Sequence, residues 1–366
     1  MLGNLGQFYE FFMNGFKFLY GWMFPPAIAL AGRRIIISKV NQIGDVTFSL
    51  PLASALKRAD PTCTVIFLGR GYTEAVCRLY ADIDEFADWD KLRPVGLAGL
   101  KADVILHIAD NKEIYRAAVK AAIPVRIGCL RKARTWFTCN RWVNVKRSNT
   151  ELHETQLDMR FLKPFHLKTD YTLPEIIALR RFTFTPTLTL TTKQSGDGGK
   201  PLLDPRRFNL ILHPKTRGQH QEWPEEHYVD LIRMLPPTKF NILVTGSAEE
   251  HFTYARLPRH VHDLTGRTTV EELVDLVRHA DGLIGASTGP VHLAANFNLW
   301  TLGLYTLKKP QYAVRWGPVG TKAVVLNAPV LCDYCSRNIS SHCFCLDRIS
   351  PEEVYRVLQT WTKNKE

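Results

Sequence analysis

An acidic side chain follows the first apolar run of this sequence, where it could act as a base. The run RIIIS (Arg34 to Ser38) leads into VNQIGDV (Val40 to Val46), after which the apolar residues take on helical spacing. A β-branched run that breaks at Gly and passes into helical spacing predicts a strand, a turn and a helix. We therefore expect Asp45 on the turn at the mouth of a sheet, where it could accept a proton. The alternative is that Asp45 caps the helix that follows.

Three later loops carry hydroxyls, glycines and cations, the groups that hold phosphate in proteins. HPKTRG (His213 to Gly218), TGS (Thr245 to Ser247) and STGPVH (Ser287 to His292) each follow an apolar run that predicts a strand. Hydroxyls, Gly and free amides at a helix N-terminus form an anion site, so a diphosphate is the ligand to expect. Each loop alone is a weak signal, because the same residues also cap helices for structural reasons.

Four cysteines near the end of the chain have a spacing that could bind a metal. Cys332, Cys335, Cys343 and Cys345 follow the pattern C-x2-C-x7-C-x-C. Four thiols could hold a structural zinc, although the second pair is closely spaced for a standard knuckle. Free or paired thiols are the alternatives. The other four cysteines are scattered, which is typical of proteins from a reducing compartment.

The elements that must position these loops alternate between strands and helices. Apolar runs near Ile35, Thr64 and Val104 are each followed by helical spacing, and a second such series runs from Phe208 to Tyr305. This alternation predicts α/β domains with mostly parallel sheets covered on both sides. Ligands of such sheets bind outside the carboxyl ends of the strands, so both domains should direct their loops into a shared cleft.

The expected organisation has five parts. They are an amphipathic, aromatic-rich helix (1–31), a first α/β domain (32–182), a linker rich in Thr, Pro, Gly and Lys (183–206), a second α/β domain (207–350) and a C-terminal helix (351–366). On a helix, Phe8, Phe12 and Phe16 share a wide apolar face that could lie at a membrane surface. A signal peptide, a membrane span and packing on the protein's own core are the alternatives.

The net charge favours anionic partners. The chain has 47 Lys and Arg against 35 Asp and Glu, a formal charge of +12, and such a field attracts phosphorylated sugars, acidic lipids or nucleic acid. Nucleic-acid binding would gather the basic residues into a stripe with interleaved aromatics. Here they are spread widely, so we expect no nucleic-acid partner.

Taken together, these motifs resemble the ADP-heptose:lipopolysaccharide heptosyltransferase family, glycosyltransferase family 9. The resemblance runs in order from about Arg34 to the C-terminus. It is carried by QIGDV (Gln42 to Val46), HPK (His213 to Lys215), WPEEHY (Trp223 to Tyr228), DLTGRT (Asp263 to Thr268) and STGPVHLAA (Ser287 to Ala295). Two positions depart from the family pattern. Gln221 stands where many members have a basic residue, and Ser287 stands where some heptosyltransferases have Asp.

The resemblance implies a GT-B fold, in which two Rossmann-like domains face each other across a cleft and the last helix often crosses back to the first domain. It implies an inverting, metal-independent transfer of heptose from ADP-heptose to the phosphorylated inner core of lipopolysaccharide, Kdo-lipid A or its extension. No cofactor is required. Such an enzyme works in the cytoplasm at the inner face of the bacterial inner membrane, on an anionic lipid-linked saccharide acceptor. A member that uses another nucleotide sugar, or an inactive nucleotide-binding protein, is the alternative.

The resemblance also implies roles for individual residues. Asp45 is the expected catalytic base, Gly44, Asn111 and Lys112 lie on the acceptor side, and Lys215 or Arg217 would supply the charge that Gln221 lacks. The expected donor-binding residues are His213, Lys215, Thr216, Arg217, Thr245, Gly246, Glu249, Gly266, Thr268, Ser287, Thr288, Gly289, Pro290 and His292.

Overall fold

A computed structural model describes residues 26–148, 150–184, 202–216, 218, 221–251, 256–309, 311–337 and 343–362. Most of the predicted N-terminal helix (1–31), most of the predicted linker (183–206) and Arg217 lie outside the described residues. Within the described ranges, every helix is too short or too polar to cross a bilayer.

The first half of the chain forms a parallel six-stranded sheet covered by helices. Its strands are β1 (Arg34–Ser38), β2 (Thr64–Gly69), β3 (Glu85–Asp88), β4 (Val104–His107), β5 (Val125–Cys129) and β6 (Arg141–Val143). Its helices are α1 (Ile43–Ala59), α2 (Glu74–Arg78), α3 (Trp89–Leu92), α4 (Lys112–Lys120), α5 (Ala133–Thr138), α6 (Glu154–Met159) and α7 (Leu173–Leu179), with 3-10 turns at Gly71–Thr73, Ala98–Leu100 and Arg160–Phe165. The central strand β1 is buried on both faces, as parallel strands between two helical layers are.

The second half repeats this plan. Its strands are β7 (Phe208–His213), β8 (Phe240–Val244), β9 (His262–Asp263), β10 (Gly282–Gly285), β11 (Trp300–Tyr305) and β12 (Ala323–Asn327). Its helices are α8 (Glu225–Met234), α9 (Val270–His279), α10 (Gly289–Asn296), α11 (Ala313–Trp316), α12 (Asp333–Ser336) and α13 (Pro351–Thr362), with a 3-10 turn at Leu346–Arg348.

Both sheets have the same topology. The strand order is β3-β2-β1-β4-β5-β6 in the first sheet and β12-β11-β10-β7-β8-β9 in the second. Counted from the first strand of each half, both orders are 3-2-1-4-5-6, the order of the Rossmann fold. The predicted α/β class and the pair of Rossmann-like domains are therefore confirmed. In each sheet the order reverses between two central strands, β1 and β4 or β7 and β10, and this switch point is where such folds bind ligands.

The halves are joined by an apolar contact. Val274 and Leu293 of the second half belong to the same cluster of buried side chains as Leu50, Leu56 and Val76 of the first half. The expectation that the last helix crosses back to the first domain is wrong for the described part of α13. That helix packs on α8, and Trp361 stacks on Phe208, because the apolar face of α13 completes the core of the second half.

Candidate active site

Asp45 lies inside a helix and not on a turn, which corrects the prediction from the sequence. Helix α1 begins at Ile43, so Asp45 is its third residue, and the N-cap is Gln42, which makes no capping bond through its side chain. The alternative in which Asp45 itself caps the helix is therefore wrong as well. A carboxylate in the first turn is favoured by the positive end of the helix dipole.

Asp45 lines a cavity of about 750 Å³ at the carboxyl edge of the first sheet. The cavity opens at the switch point, because Lys39 follows β1 and His107 ends β4. Trp316 reaches it from the second half. A cavity of this size holds a sugar-sized ligand.

A buried network of charges surrounds Asp45. Lys39 Nζ lies 3.2 Å from Asp158 Oδ2, and both side chains are almost completely buried. Arg147 bridges two acids, at 2.5 Å from Glu154 Oε1 and 2.8 Å from Asp158 Oδ1. Arg315 of the second half completes the network, with its Nε 3.2 Å from Glu154 Oε2. The base candidate therefore sits beside cations that the neighbouring carboxylates already share.

This environment shifts two pKa values in opposite directions. Burial raises the pKa of the Asp45 carboxyl; the charge of Lys39 offsets part of the rise, and Glu154 and Asp158 add to it. Burial would also raise the pKa of Glu154, but the charges of Arg147, Lys39 and Arg315 outweigh it and lower that pKa. Of these two carboxyls, Asp45 is the better proton acceptor near neutral pH, because its basicity is the higher.

The two halves of the molecule meet next to Asp45. A Cβ atom added at Gly44 would lie 2.5 Å from His292 Cδ2 and 3.5 Å from the Cα of Gly289. The ring of His292 packs edge-on against Phe48, with the centroids 4.8 Å apart. The N-termini of α1 and α10 therefore converge, and two positive dipole ends at one point favour an anion there.

The loop from Ser287 to His292 lies at the switch point of the second sheet. Thr288 is buried, and its Oγ1 has no hydrogen-bond partner among the described residues. Pro290 sits in the first turn of α10, where it needs no hydrogen-bond donor. The side chain of Ser287 contacts the hydroxyl of Tyr305, which in turn donates a hydrogen bond to the carbonyl of Trp316. This chain of contacts links the Ser287 loop to the cavity that holds Asp45.

The neighbouring strand ends form a second group. His213 Nδ1 lies 2.9 Å from Thr245 Oγ1, and the amide of Gly266 donates to the carbonyl of Gly246. Gly266 has a φ of +68°, and a Cβ there would lie 2.8 Å from the Cα of Ala248, so this turn requires glycine. Thr268 is half-buried just before the N-cap of α9.

The remaining residues that were predicted to bind the donor are less well placed for that role. Lys215 is held at 2.7 Å by Glu225 and at 3.4 Å by Glu222, so carboxylates already accompany its charge. The amide of Thr216 also donates to Glu222, over 2.7 Å. Glu249 is exposed at the surface. Lys215 has the positive charge that is missing at Gln221, but Glu222 and Glu225 already pair with it.

On the acceptor side, only one of the two predicted polar residues lines the cavity. Asn111 lines the cavity, and its side chain caps α4 by accepting hydrogen bonds from the amides of Glu113 and Ile114. Lys112 is exposed and does not line the cavity.

Several side chains of the site were not predicted from the sequence. Lys39, His107, Arg147 and Trp316 line the cavity, and Arg315 binds Glu154. Burial lowers the pKa of His107 to about 3, so its imidazole is neutral, and its Nε2 has no partner among the described residues. Two of them could have been found from the sequence, since Lys39 and His107 stand at the ends of predicted strands. Trp316 lies 271 residues after Asp45 in the chain, so no local pattern connects the two.

Comparisons with known proteins agree with the fold and the geometry of the site. Residues 98–342 match glycosyltransferase family 9 (heptosyltransferase). Lipooligosaccharide heptosyltransferase 2 of Haemophilus influenzae is 30% identical over 311 residues, which cover 80% of this chain and 88% of that protein.

Two solved structures share the fold. A family 9 glycosyltransferase from Veillonella parvula superposes with a TM-score of 0.71 at 15% identity, covering 92% of this chain and 99% of that one. Escherichia coli heptosyltransferase WaaC, solved with ADP, gives 0.63 at 16% identity, covering 90% and 99%. This chain belongs to glycosyltransferase family 9, and its fold is the GT-B fold of these enzymes.

Proposed function

We propose that this enzyme transfers a heptose, with inversion, from ADP-heptose to the phosphorylated inner core of lipopolysaccharide, Kdo-lipid A or its extension. One observation carries the proposal. Asp45 lines the cavity of the first domain, and the adjacent Gly44 touches the first turn of α10 across the domain contact. A base and an anion site therefore adjoin each other where an acceptor and a nucleotide sugar would meet.

In this proposal Asp45 takes the proton from the acceptor hydroxyl as that oxygen attacks the anomeric carbon. Its raised pKa makes the carboxylate a stronger base than an exposed aspartate, while Lys39 keeps enough of it ionised for catalysis. The leaving group is a nucleoside diphosphate, whose charge grows in the transition state. We assign its stabilisation to the N-terminus of α10 and to Thr288, whose buried Oγ1 is available. No step in this scheme uses a metal.

The donor is proposed as ADP-heptose because a related heptosyltransferase is described with ADP and the family match is to heptosyltransferases. The strand-end group of His213, Thr245, Gly246 and Gly266 lies beside the Ser287 loop across β7 and β10. That position suits the nucleoside part of the donor, because it continues outward from the switch point.

The acceptor is proposed as an anionic saccharide. The cavity is lined by five cations and three acids, and the cations are Lys39, Arg70, Arg131, Lys132 and Arg147. Arg131 and Lys132 are exposed at its edge, where a phosphate group would reach them. An excess of positive charge around a cavity raises the local concentration of an anionic substrate.

A lipid-linked acceptor requires the cavity to approach a membrane, and we propose that the segment around α5 makes this contact in the cytoplasm, at the inner face of the inner membrane. Phe137 is 87% exposed and Trp136 is 58% exposed, close in sequence to the cavity residues Arg131 and Lys132. Aromatic rings and cations together suit the headgroup region of an anionic bilayer.

The test compares donors and a single variant. The purified chain should gain thermal stability with ADP-heptose and not with UDP-sugars or GDP-sugars, because a bound donor stabilises the folded state. Asp45→Asn should keep that shift but lose about 10²–10⁴-fold in transfer rate. Its Tm at pH 7 should equal or exceed that of the wild type, because a raised pKa means that the ionised carboxylate destabilises the folded state.

A shift confined to UDP-sugars would reject the heptose donor and leave the family transferase that uses another nucleotide sugar. Transfer that survives Asp45→Asn would reject the base. A chain that binds donors but never turns over with any lipid-linked acceptor would be an inactive nucleotide-binding protein.

A further inference from the structure

We propose that Cys332, Cys335, Cys343 and Cys345 bind one zinc ion. Their four Sγ atoms all lie within 4.8 Å of one another, and Cys332 Sγ is 3.8 Å from Cys343 Sγ. In a tetrahedral site with zinc–sulfur bonds of about 2.3 Å, neighbouring sulfurs are roughly 3.8 Å apart. The cluster therefore has the dimensions of a tetrathiolate site.

The ligand set indicates which ion fits and what it does. Four thiols are soft ligands, and a tetrahedral arrangement of sulfur is typical of zinc or iron, not of magnesium or calcium. Four protein ligands leave no coordination position for a substrate, so the site is structural and not catalytic. We assign zinc, the ion of most structural sites with four cysteine ligands, and iron is the alternative that metal analysis separates from it.

Backbone and side-chain donors already point at the sulfurs. The amide of Cys332 donates to Cys345 Sγ over 3.1 Å, and the amide of Cys345 donates to Cys343 Sγ over 3.4 Å. Gln221 Nε2 donates to Cys335 Sγ over 3.5 Å. Donors of this kind stabilise the thiolate form that a metal requires and orient the ligands around it.

Disulfides fit the same residues less well. A disulfide joins two sulfurs about 2.05 Å apart and gives each sulfur one partner. Here each sulfur has three sulfur neighbours within 4.8 Å, as a shared central ion requires. Three of the four residues are buried in the core of the second domain, where a bound cation would balance the charge of the thiolates.

The site has a further consequence, which rests on the proposed function. Gln221 and Leu346 line one small crevice together with Ser287, and both are tied to the cluster, Gln221 by its hydrogen bond and Leu346 by following Cys345 directly. Gln221 and Trp223 lie in the loop before α8, and Trp223 Nε1 donates to the carbonyl of Ile349. The ion would therefore position the wall beside the Ser287 loop, and its loss should weaken donor binding.

The first experiment needs no variant. The full chain, purified without a metal-affinity tag, should contain about one zinc per chain by elemental analysis. Removal of the ion by a strong chelator should lower the Tm by at least about 5 °C, and added zinc should restore it. The cobalt-substituted protein should show the visible absorption of tetrahedral, sulfur-bound cobalt(II). Absence of metal, two disulfides in the intact mass, or iron in place of zinc would overturn the assignment.

Variants then test the ligands and the positioning role. Cys343→Ser should reduce the zinc content to near zero, whereas Cys63→Ser, a buried cysteine of the first domain, should retain it. Cys343→Ser should also raise KM for ADP-heptose by about tenfold and change kcat less. Retained zinc in Cys343→Ser would overturn the ligand set, and an unchanged KM in a zinc-free variant would overturn the positioning role. Zinc content and Tm are measured without substrate, so failure of the site is distinguishable from a wrong donor.

Discussion

At the scale of single residues, the charge state of Asp45 should control the pH dependence of transfer. Burial raises the pKa of this carboxyl above its ordinary 3.8, and Glu154 contributes to the rise. A base must be ionised to act, so kcat/KM should fall on the acid side at a higher pH than an exposed aspartate would give. Glu154→Gln removes one negative neighbour of Asp45 and one carboxylate partner from each of Arg147 and Arg315, so it should move that acid limb to lower pH.

The measurement is a profile of kcat/KM against pH for the wild type and Glu154→Gln, with Tm recorded at each pH. The profile separates a change in the pKa of Asp45 from structural damage to the site. Damage would lower kcat/KM at every pH and leave the acid limb at the same pH. If the acid limb lies at the same pH in Glu154→Gln as in the wild type, the charge of Glu154 does not control the pKa of Asp45.

The residue scale also shows where the sequence alone could not define the site. Asp45 could be identified because it follows a clear strand in a family motif. Lys39 and Asp158 form a buried pair but are 119 residues apart, so neither pattern nor spacing connects them. Lys215 was predicted as a phosphate ligand from its type and loop, while its two glutamate partners depend on the path of the loop in three dimensions.

At the scale of elements, the approach of α1 to α10 depends on the absence of a side chain at Gly44. A Cβ there would lie 2.5 Å from the His292 ring, which is buried and packed against Phe48, so the ring cannot move aside. We expect Gly44→Ala to push the two helices apart and to lower kcat/KM by about 10²-fold, because a shift near 1 Å between base and donor has that effect.

The matched control is Gly99→Ala, since no heavy atom lies within 4 Å of a Cβ at Gly99. That variant should keep wild-type kcat/KM and Tm. Kinetics of both variants at saturating and limiting donor check the prediction, and a Gly44→Ala enzyme with wild-type kcat/KM would show that the contact does not set the active geometry.

The predicted strands also reveal which elements a sequence specifies. Central strands such as β1, β4, β7 and β10 were predicted from their apolar runs, because both of their faces are buried. The four strands missed are β3, β6, β9 and β12, and each lies at the edge of its sheet. Edge strands β3, β6 and β9 are short and lack the continuous apolar run that signals a parallel strand, whereas β12 has such a run, Ala323 to Leu326, but is only half-buried.

At the scale of the whole molecule, the two-domain plan followed from the two alternating series and the composition between them. The contact between the domains did not. Arg315 binding Glu154 and His153 Nε2 lying 2.9 Å from the carbonyl of Gly317 join residues more than 160 positions apart. These residues come together only in the folded protein. The sequence therefore predicts a cleft between the domains but not the side chains that connect them.

The orientation of the molecule on a membrane gives the last prediction. Trp136 and Phe137 are exposed beside the cations of the cavity, so the full chain should bind vesicles that contain anionic lipid and bind zwitterionic vesicles less. Trp136→Ser/Phe137→Ser should weaken that binding, and should raise KM for a lipid-linked acceptor while KM for the donor stays unchanged. Val95→Ser, at a residue 75% exposed that does not line the cavity, is the control and should bind as the wild type does. Co-sedimentation at low and high salt measures both the aromatic and the charged contributions, because salt screens only the second. Unchanged binding in the double variant would place the membrane contact elsewhere in the chain.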